Sequence, residues 1–464
     1  PYGFGFHLEA LIFFVRGGRQ TATLLKEAMM IGNIKMNQNK KKESQQTKIS
    51  RRSFLKKAGV AFTTVGGLDA LSVFKSRISA SAIPTIQGGR KPRVVVVGAG
   101  AFGGWTALHL LRSGAQVTLI DAWGPGNARA SSSGETRVIR AIYGSDQIYV
   151  KMVARSFHLW WENEKRWHQK LYKRTGALWM FQKDSEFVRA SLPFLRNEGL
   201  DFEELPLVEA GRRFPQVDFR GVKWVFFEKE AGYISARRSC KVVLDAFLAE
   251  GGEYKLLSVK PGVVKGSRLH DVTLSDGSKL TADQYVFACG AWLGKVFSEV
   301  LGHLIRPTRQ SVYYFGIPAG DHRFIEDRLP VWVDFGERIF YGIPADGRRG
   351  FKIADDTRGD PIDPTSDERK PSHEGFEIAR KYFEFRFPGL KGAPLLEARA
   401  CVYENTPDHH FIIDRHPGAE NLWFIGGGSG HGFKHGPAVG EMVAEMVLGE
   451  KPLRPFFSLS RFSG

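Results

Sequence analysis

Cysteine is nearly absent from this chain: 464 residues carry three, Cys240, Cys289 and Cys401. An odd and widely spaced set gives no disulfide framework, and no pair has the spacing of a zinc site. The 13 histidines form no HExxH pattern, so metal chemistry is not expected. Long apolar runs are missing too. The stretch at 8–15 is too short to cross a bilayer, and the weakly apolar one at 58–74 is interrupted by Gly59, Gly66, Gly67 and Asp69. No tandem repeat is present. Acidic residues are in deficit, with a formal net charge of +17, but the excess is uneven. Residues 1–82 hold 14 Lys and Arg against 4 Asp and Glu, a net +10, and the remaining 52 against 45 leave +7. No basic-aromatic repeat or nucleic-acid module accompanies that charge, so nucleic acid is not an expected partner.

The N-terminal excess has a pattern of its own. Lys40, Lys41 and Lys42 precede Ser50-Arg51-Arg52-Ser53-Phe54-Leu55-Lys56, and the weakly apolar stretch follows. Lys75, Arg77 and the small residues Ala80-Ser81-Ala82 come after it. The segment at 36–82 resembles a bacterial twin-arginine export signal, with cleavage expected after Ala82. That resemblance implies the export machinery as a partner and a periplasmic or extracellular destination. Residues 1–35 precede Met36 and are read as an upstream extension.

What the rest of the chain has in quantity is a nucleotide-binding pattern. A β-branched run, VVVV at 94–97, suits a central parallel strand buried on both faces. Gly98-Ala99-Gly100-Ala101-Phe102-Gly103 follows at once, then helical apolar spacing at 105–111, Gly114, a second strand at 117–120, and Asp121. The glycines permit a tight turn, pyrophosphate approach to a helix N-terminus, and close helix–strand contact. Asp121 can accept hydrogen bonds from an adenosine ribose. Strand, glycines, helix, strand and acid in that order point to an ADP-bearing cofactor.

Two later segments read as ligand loops. Residues 131–140, SSSGETRVIR, combine small hydroxyl residues with Arg137 and Arg140. Ser132 and Thr136 are candidate cofactor contacts, and the two arginines share a face if the segment is helical. Arginine presents a planar fork suited to a carboxylate. The stretch at 401–434 runs CVYENTPDHHFIID, then a turn, then NLWFIGGGSGHGFK. It predicts strands at 411–413 and 422–425 and a glycine-rich loop with Gly428, Ser429, Gly430 and Lys434.

Taken together, five pieces resemble one family. They are VVVVGAGAFGG at 94–104, SGETRVIRAIYG at 133–144, FACGAW at 287–292, FYGIPADGRRGFK at 340–352, and the 401–434 stretch. The chain resembles the monomeric sarcosine oxidase and N-methyltryptophan oxidase group, within the D-amino-acid-oxidase-like flavoproteins, over about residues 90–455. The resemblance implies an α/β fold. In it an FAD-binding Rossmann-like domain (90–171, 233–303, 409–455) is interleaved with a mixed, largely antiparallel substrate domain (172–232, 304–408). It implies FAD tethered through Cys401 and a monomeric enzyme. An amine is oxidised to an imine that water hydrolyses, and O₂ is reduced to H₂O₂.

The same resemblance assigns residues. Lys352 matches the lysine that promotes oxygen reduction, and Arg137 matches the arginine near the flavin ring. Arg140 and Lys434 match the pair that grips a substrate carboxylate, and Tyr341 and Tyr403 match aromatic residues of the site. Two positions depart from the pattern. Asp356 stands where sarcosine oxidases carry histidine, and Ser133 replaces another histidine near the flavin. A carboxylate at 356 repels a substrate carboxylate or attracts a cationic amine, so the amine stays open. Two other functions stay open beside the oxidase: a flavin dehydrogenase that passes electrons to a quinone or protein, and a non-catalytic exported binding protein.

Overall fold

A computed structural model describes residues 90–346, 349–357 and 359–463. The expected export signal at 36–82 and the expected extension at 1–35 lie outside the described residues. Among the described residues no helix is long and apolar enough to cross a membrane.

The nucleotide pattern folds as its residues dictate. Strand β1 (Arg93–Val97), helix α1 (Ala101–Arg112) and strand β2 (Gln116–Asp121) form a parallel unit, with Val95 opposite Thr118. Further along the chain come β3 (Thr136–Ile139), α2 (Gln147–Trp167), β4 (Ala177–Phe181), β5 (Phe202–Leu205) and β6 (Trp224–Glu228). Next are α3 (Ala236–Ala249), β7 (Glu253–Leu256), β8 (Gln284–Phe287), β9 (Arg306–Phe315), β10 (Val331–Phe335), β11 (Ile339–Ile343) and β12 (Phe351–Asp355). The series ends with α4 (His373–Arg386), β13 (Leu395–Asn405), β14 (Ile412–His416), β15 (Ala419–Gly426) and α5 (Gly436–Val447).

One sheet has the order β14-β15-β8-β1-β2-β7, parallel except for β14. Its centre is β1, whose Val94, Val95 and Val96 are at most 2% exposed, as a strand covered on both faces requires. Helices α1, α3 and α5 pack together on one side. The turn after β1 needs its glycines. Gly98 has φ +107°, and a Cβ there would stand 2.4 Å from the Ala288 carbonyl. A Cβ on Gly103 would stand 1.9 Å from the Gly98 carbonyl, so α1 could not lie against β1. Gly103→Ala is therefore expected to lower stability by about 1–3 kcal/mol or more. Thermal unfolding and flavin content of the purified protein, both reduced, would check it.

The second large sheet has the order β13-β9-β12-β11-β10-β4-β6-β5, antiparallel except where β10 meets β4. Alternation along its strands separates two surfaces. One row runs Tyr313, Ile353, Gly342, Trp332, Leu178, Phe227. Its apolar members join one core cluster with Ala379 and Phe383 of α4 and with Phe387 just after it. The neighbouring row runs Arg399, Val312, Ala354, Tyr341, Val333, Trp179, Phe226. Cys401, Tyr403, Lys352 and Glu228 share that second face, because their directly paired partners lie in step with it. A period of two thus gathers residues spread over more than 200 positions onto one surface.

The reading of Arg137 and Arg140 as neighbours on a helix is corrected. Residues 136–139 form β3, paired antiparallel with the strand Gly232–Ser235. Thr136, Val138 and Ile139 are β-branched and favour that extended form. Side chains three apart on a strand do not share a face.

Candidate functional site

One cavity joins the pieces. It is lined by Asp121, Trp123, Leu257 and Val259, by Gly98, Gly100, Ser131 and Ser132, and by Arg137, Tyr403, Gly428, Gly430 and Phe433. Ala101 and Phe102 line it as well. Gly103 does not, because it serves the helix–strand contact. Asp121 already accepts three backbone N–H groups, from Ala99 at 2.7 Å, Trp123 at 2.8 Å and Gly124 at 2.7 Å. A carboxylate has about four acceptor positions, so one is left for a ribose hydroxyl. The Ser132 hydroxyl accepts the Ala101 N–H at 2.9 Å and fixes the start of α1.

The cavity fits an FAD. Its glycines leave little room for side chains, as at Gly100, where a Cβ would press on the Ser132 hydroxyl at 3.2 Å. Gly430 is packed under the Tyr403 ring, where a Cβ would be 2.5 Å away. The Thr136 hydroxyl is buried with no protein partner among the described residues, and a cofactor heteroatom would satisfy it.

Around Tyr403 the second sheet presents its polar face. Cys401 is 5% exposed, on β13, packed with Val312, Tyr314, Ala354 and Tyr341. Lys352 is buried on β12, and its Nζ donates to the Thr136 carbonyl at 3.0 Å. Burial, then the nearby Arg137 charge, brings the Lys352 ammonium down to about 7. Arg137 turns back to donate to the Ser131 carbonyl at 2.9 Å and the Ser133 carbonyl at 2.5 Å. Ser133 therefore contributes its backbone to this arginine. Burial raises the Tyr341 and Tyr403 phenols, and the Asp356 charge raises both further. Tyr403 donates to Asp356 at 2.9 Å.

A second group lies around Tyr143. The Lys434 Nζ donates to the Tyr143 hydroxyl at 2.9 Å and to the His431 carbonyl at 2.8 Å. The Arg140 guanidinium sits 4.7 Å from the centre of the same ring and 5.2 Å from that of Trp179. Arg140 and Lys434 are therefore brought together, although not with Arg137 by a shared helix face. Burial and the Arg140 charge hold the Lys434 ammonium well below the ordinary lysine range. The same desolvation keeps His431 and His435 neutral.

Sequence reasoning missed several members of this group. The Tyr143 hydroxyl contacts His435 Nε2 at 2.8 Å, yet both residues sat inside or beside quoted motifs. Glu228 carried no such mark, at the end of an apolar strand. It is 4% exposed, and it accepts the Trp179 indole N–H and the Ala141 N–H, each at 2.7 Å. Burial raises its carboxyl above the usual range.

Comparison with known proteins agrees with this architecture. Residues 93–446 match the family described as DAO, FAD dependent oxidoreductase. Monomeric sarcosine oxidase from Arthrobacter sp. (strain TE1826) is 32% identical over 365 residues, covering 76% of this chain and 92% of that enzyme. N-methyl-L-tryptophan oxidase from Salmonella arizonae is 29% identical, covering 80% and 99%. Among solved structures, L-proline dehydrogenase from P. horikoshii superposes with a TM-score of 0.70 at 24% identity, covering 81% and 98%. Fructosamine oxidase (Amadoriase II) from Aspergillus fumigatus gives 0.67 at 22% identity, covering 80% and 89%. At these identities the two structures speak for the fold alone.

Proposed function

Because the chain belongs to the FAD-dependent oxidoreductases of the DAO family, we propose that it oxidises a carboxylate-bearing secondary amine to an imine, with O₂ as acceptor. The substrate class is an N-methyl or cyclic amino acid, and water hydrolyses the imine. One observation carries the reading. Lys434 and Arg140 converge on the Tyr143 ring, and neither forms an ion pair among the described residues. A buried cation pair without a bonded counter-charge suits an anionic ligand.

The residues then divide the work. Arg140 and Lys434 hold the carboxylate and set the direction of the amine. Asp356, close enough to lift the Lys434 ammonium, gives the incoming ammonium a counter-charge. Tyr403 holds Asp356 in place, and Tyr341 completes an aromatic wall that excludes water. FAD, when bound, supplies the two-electron acceptor and the place where O₂ is reduced. Lys352 and Arg137 offer positive charge there.

The deciding experiment is an anaerobic screen of N-methyl and cyclic amino acids, scored by bleaching of the flavin absorbance. Bleaching by at least one supports the reading, and none across the series sinks it in favour of a binding protein. Under air, H₂O₂ equal to substrate consumed separates an oxidase from a dehydrogenase.

Cys401 is proposed as the flavin tether. Its buried position beside Tyr341, on the face that carries Lys352, supports the assignment. Acid-precipitated protein should stay yellow, and Cys401→Ala should release all of its colour to the supernatant. Colour kept by the variant would refute the tether. Residues 36–82 are proposed as a twin-arginine signal. Replacing Arg51 and Arg52 by lysine should then leave the protein in the cytoplasmic fraction.

A further inference from the structure

One buried acid stands in the cofactor cavity with no part in the chemistry above. Glu404 lies on β13 and is 7% exposed. β13 is the edge strand of its sheet, and Val402, Tyr403 and Glu404 in succession line the cavity. One carboxylate oxygen accepts the Gly428 N–H at 3.2 Å, and the other takes the Ser131 hydroxyl at 3.5 Å. Both contacts are long, and no cation bonds the group among the described residues. A Cβ on Gly290 would stand 2.7 Å from one oxygen, and a Cβ on Gly428 3.0 Å from the other. Backbone therefore approaches the carboxyl on two sides, and the residue lines the cavity.

An acid so placed bears a desolvation cost that two long contacts offset only in part. Burial pushes its carboxyl up to about 7. The other titratable groups on the cavity wall are Asp121, Arg137, Cys289 and Tyr403. Burial raises the Cys289 thiol and the Tyr403 phenol and keeps both neutral, while Arg137 is a fixed cation. Asp121 already takes three backbone N–H groups. Glu404 is the lining group that burial brings near neutrality.

We infer that Glu404 is a proton-linked positioning residue for the cofactor. It contacts the cofactor from the cavity wall and takes one proton from solvent as two-electron reduction adds negative charge beside it. The inference rests on the FAD site proposed above, whose wall includes Glu404. Two electrons come from the reductant, and one proton joins the ring itself, which leaves one added negative charge. A second proton goes to the Glu404 carboxylate.

The test is a redox titration of the holoenzyme against reference dyes across about pH 6–9, with dithionite as reductant. No amine enters it, so failure of the substrate reading leaves it untouched. Above the Glu404 pKa of the oxidised enzyme, the wild type should take up one more proton per two electrons than Glu404→Gln. Its midpoint potential should therefore fall more steeply with pH, by about 30 mV per unit for one proton in a two-electron couple. Equal slopes in the two proteins overturn the inference. If the variant loads no flavin, an indicator dye counts protons taken up by the wild type. Nearly two per flavin reduced supports the coupling, and one overturns it. A steeper slope from an enzyme whose flavin leaves with acid would refute the tether and keep Glu404.

Discussion

Lys352→Met is expected to slow reoxidation of the reduced enzyme by O₂ about 10²–10³-fold, the size of effect seen when one preorganised charge is removed. Anaerobic bleaching by the amine should change only a few-fold. The first electron to reach O₂ creates a localised negative charge, and a cation already in place lowers the cost of that charge without reorganising solvent. Lys352 is suited to this because it is 2% exposed and held by the Thr136 carbonyl at 3.0 Å. Methionine has similar length and fills the same volume, so the strand register and the cavity should survive.

The pH dependence follows from the sign of the shift. Desolvation brings the Lys352 ammonium down to about 7. The charged form dominates below that value and is lost as pH rises through it. The rate constant for O₂ should fall over that window in the wild type and stay flat in Lys352→Met. Negative charge on a reduced cofactor moves the window upward without changing its direction. Stopped-flow reoxidation at several pH values reads both effects. An unchanged oxygen rate in the variant would remove Lys352 from this role.

Much of this was legible in the sequence because local rules determine it. The glycines at 98, 100 and 103 sit between a β-branched run and an apolar helix, and steric need alone specifies that turn. Cys401, Lys352 and Tyr341 were found through motifs, yet their common surface is a matter of register across several strands. No spacing in the chain encodes that Gln310 pairs with Cys401 or Tyr314 with Lys352. The arginines show the limit most directly. A three-residue interval suggested a helix face, but pairing with Gly232–Ser235 made a strand and sent the two side chains to different partners. Glu228 and Glu404 were invisible for another reason. A lone acid at a strand end reads as solvent-facing, and only tertiary packing buries it.

Lys434→Met is expected to lower kcat/KM for carboxylate-bearing amines about 10–100-fold, from the roughly 1.5–3 kcal/mol carried by a charged hydrogen bond. The loss should appear mainly in KM, because the carboxylate is bound alike before and during C–H cleavage. Lys434 lies on the short helical turn Phe433–His435 that leads into α5, and its Nζ is anchored by Tyr143 and the His431 carbonyl. That anchoring fixes where the charge stands, so little ordering remains to be done when the substrate arrives. Arg140→Met should act in the same direction. The double variant should lose more than the product of the two, since the Arg140 charge holds the Lys434 ammonium down and its removal alone leaves Lys434 better able to compensate. The discriminating readout is a ratio: kcat/KM for an N-methyl amino acid over that for the amine lacking its carboxylate. This ratio should collapse toward one in Lys434→Met, because the decarboxylated amine never used the cation. A ratio that matches the wild type would mean that the carboxylate binds elsewhere, and that the two cations serve only the packing around Tyr143.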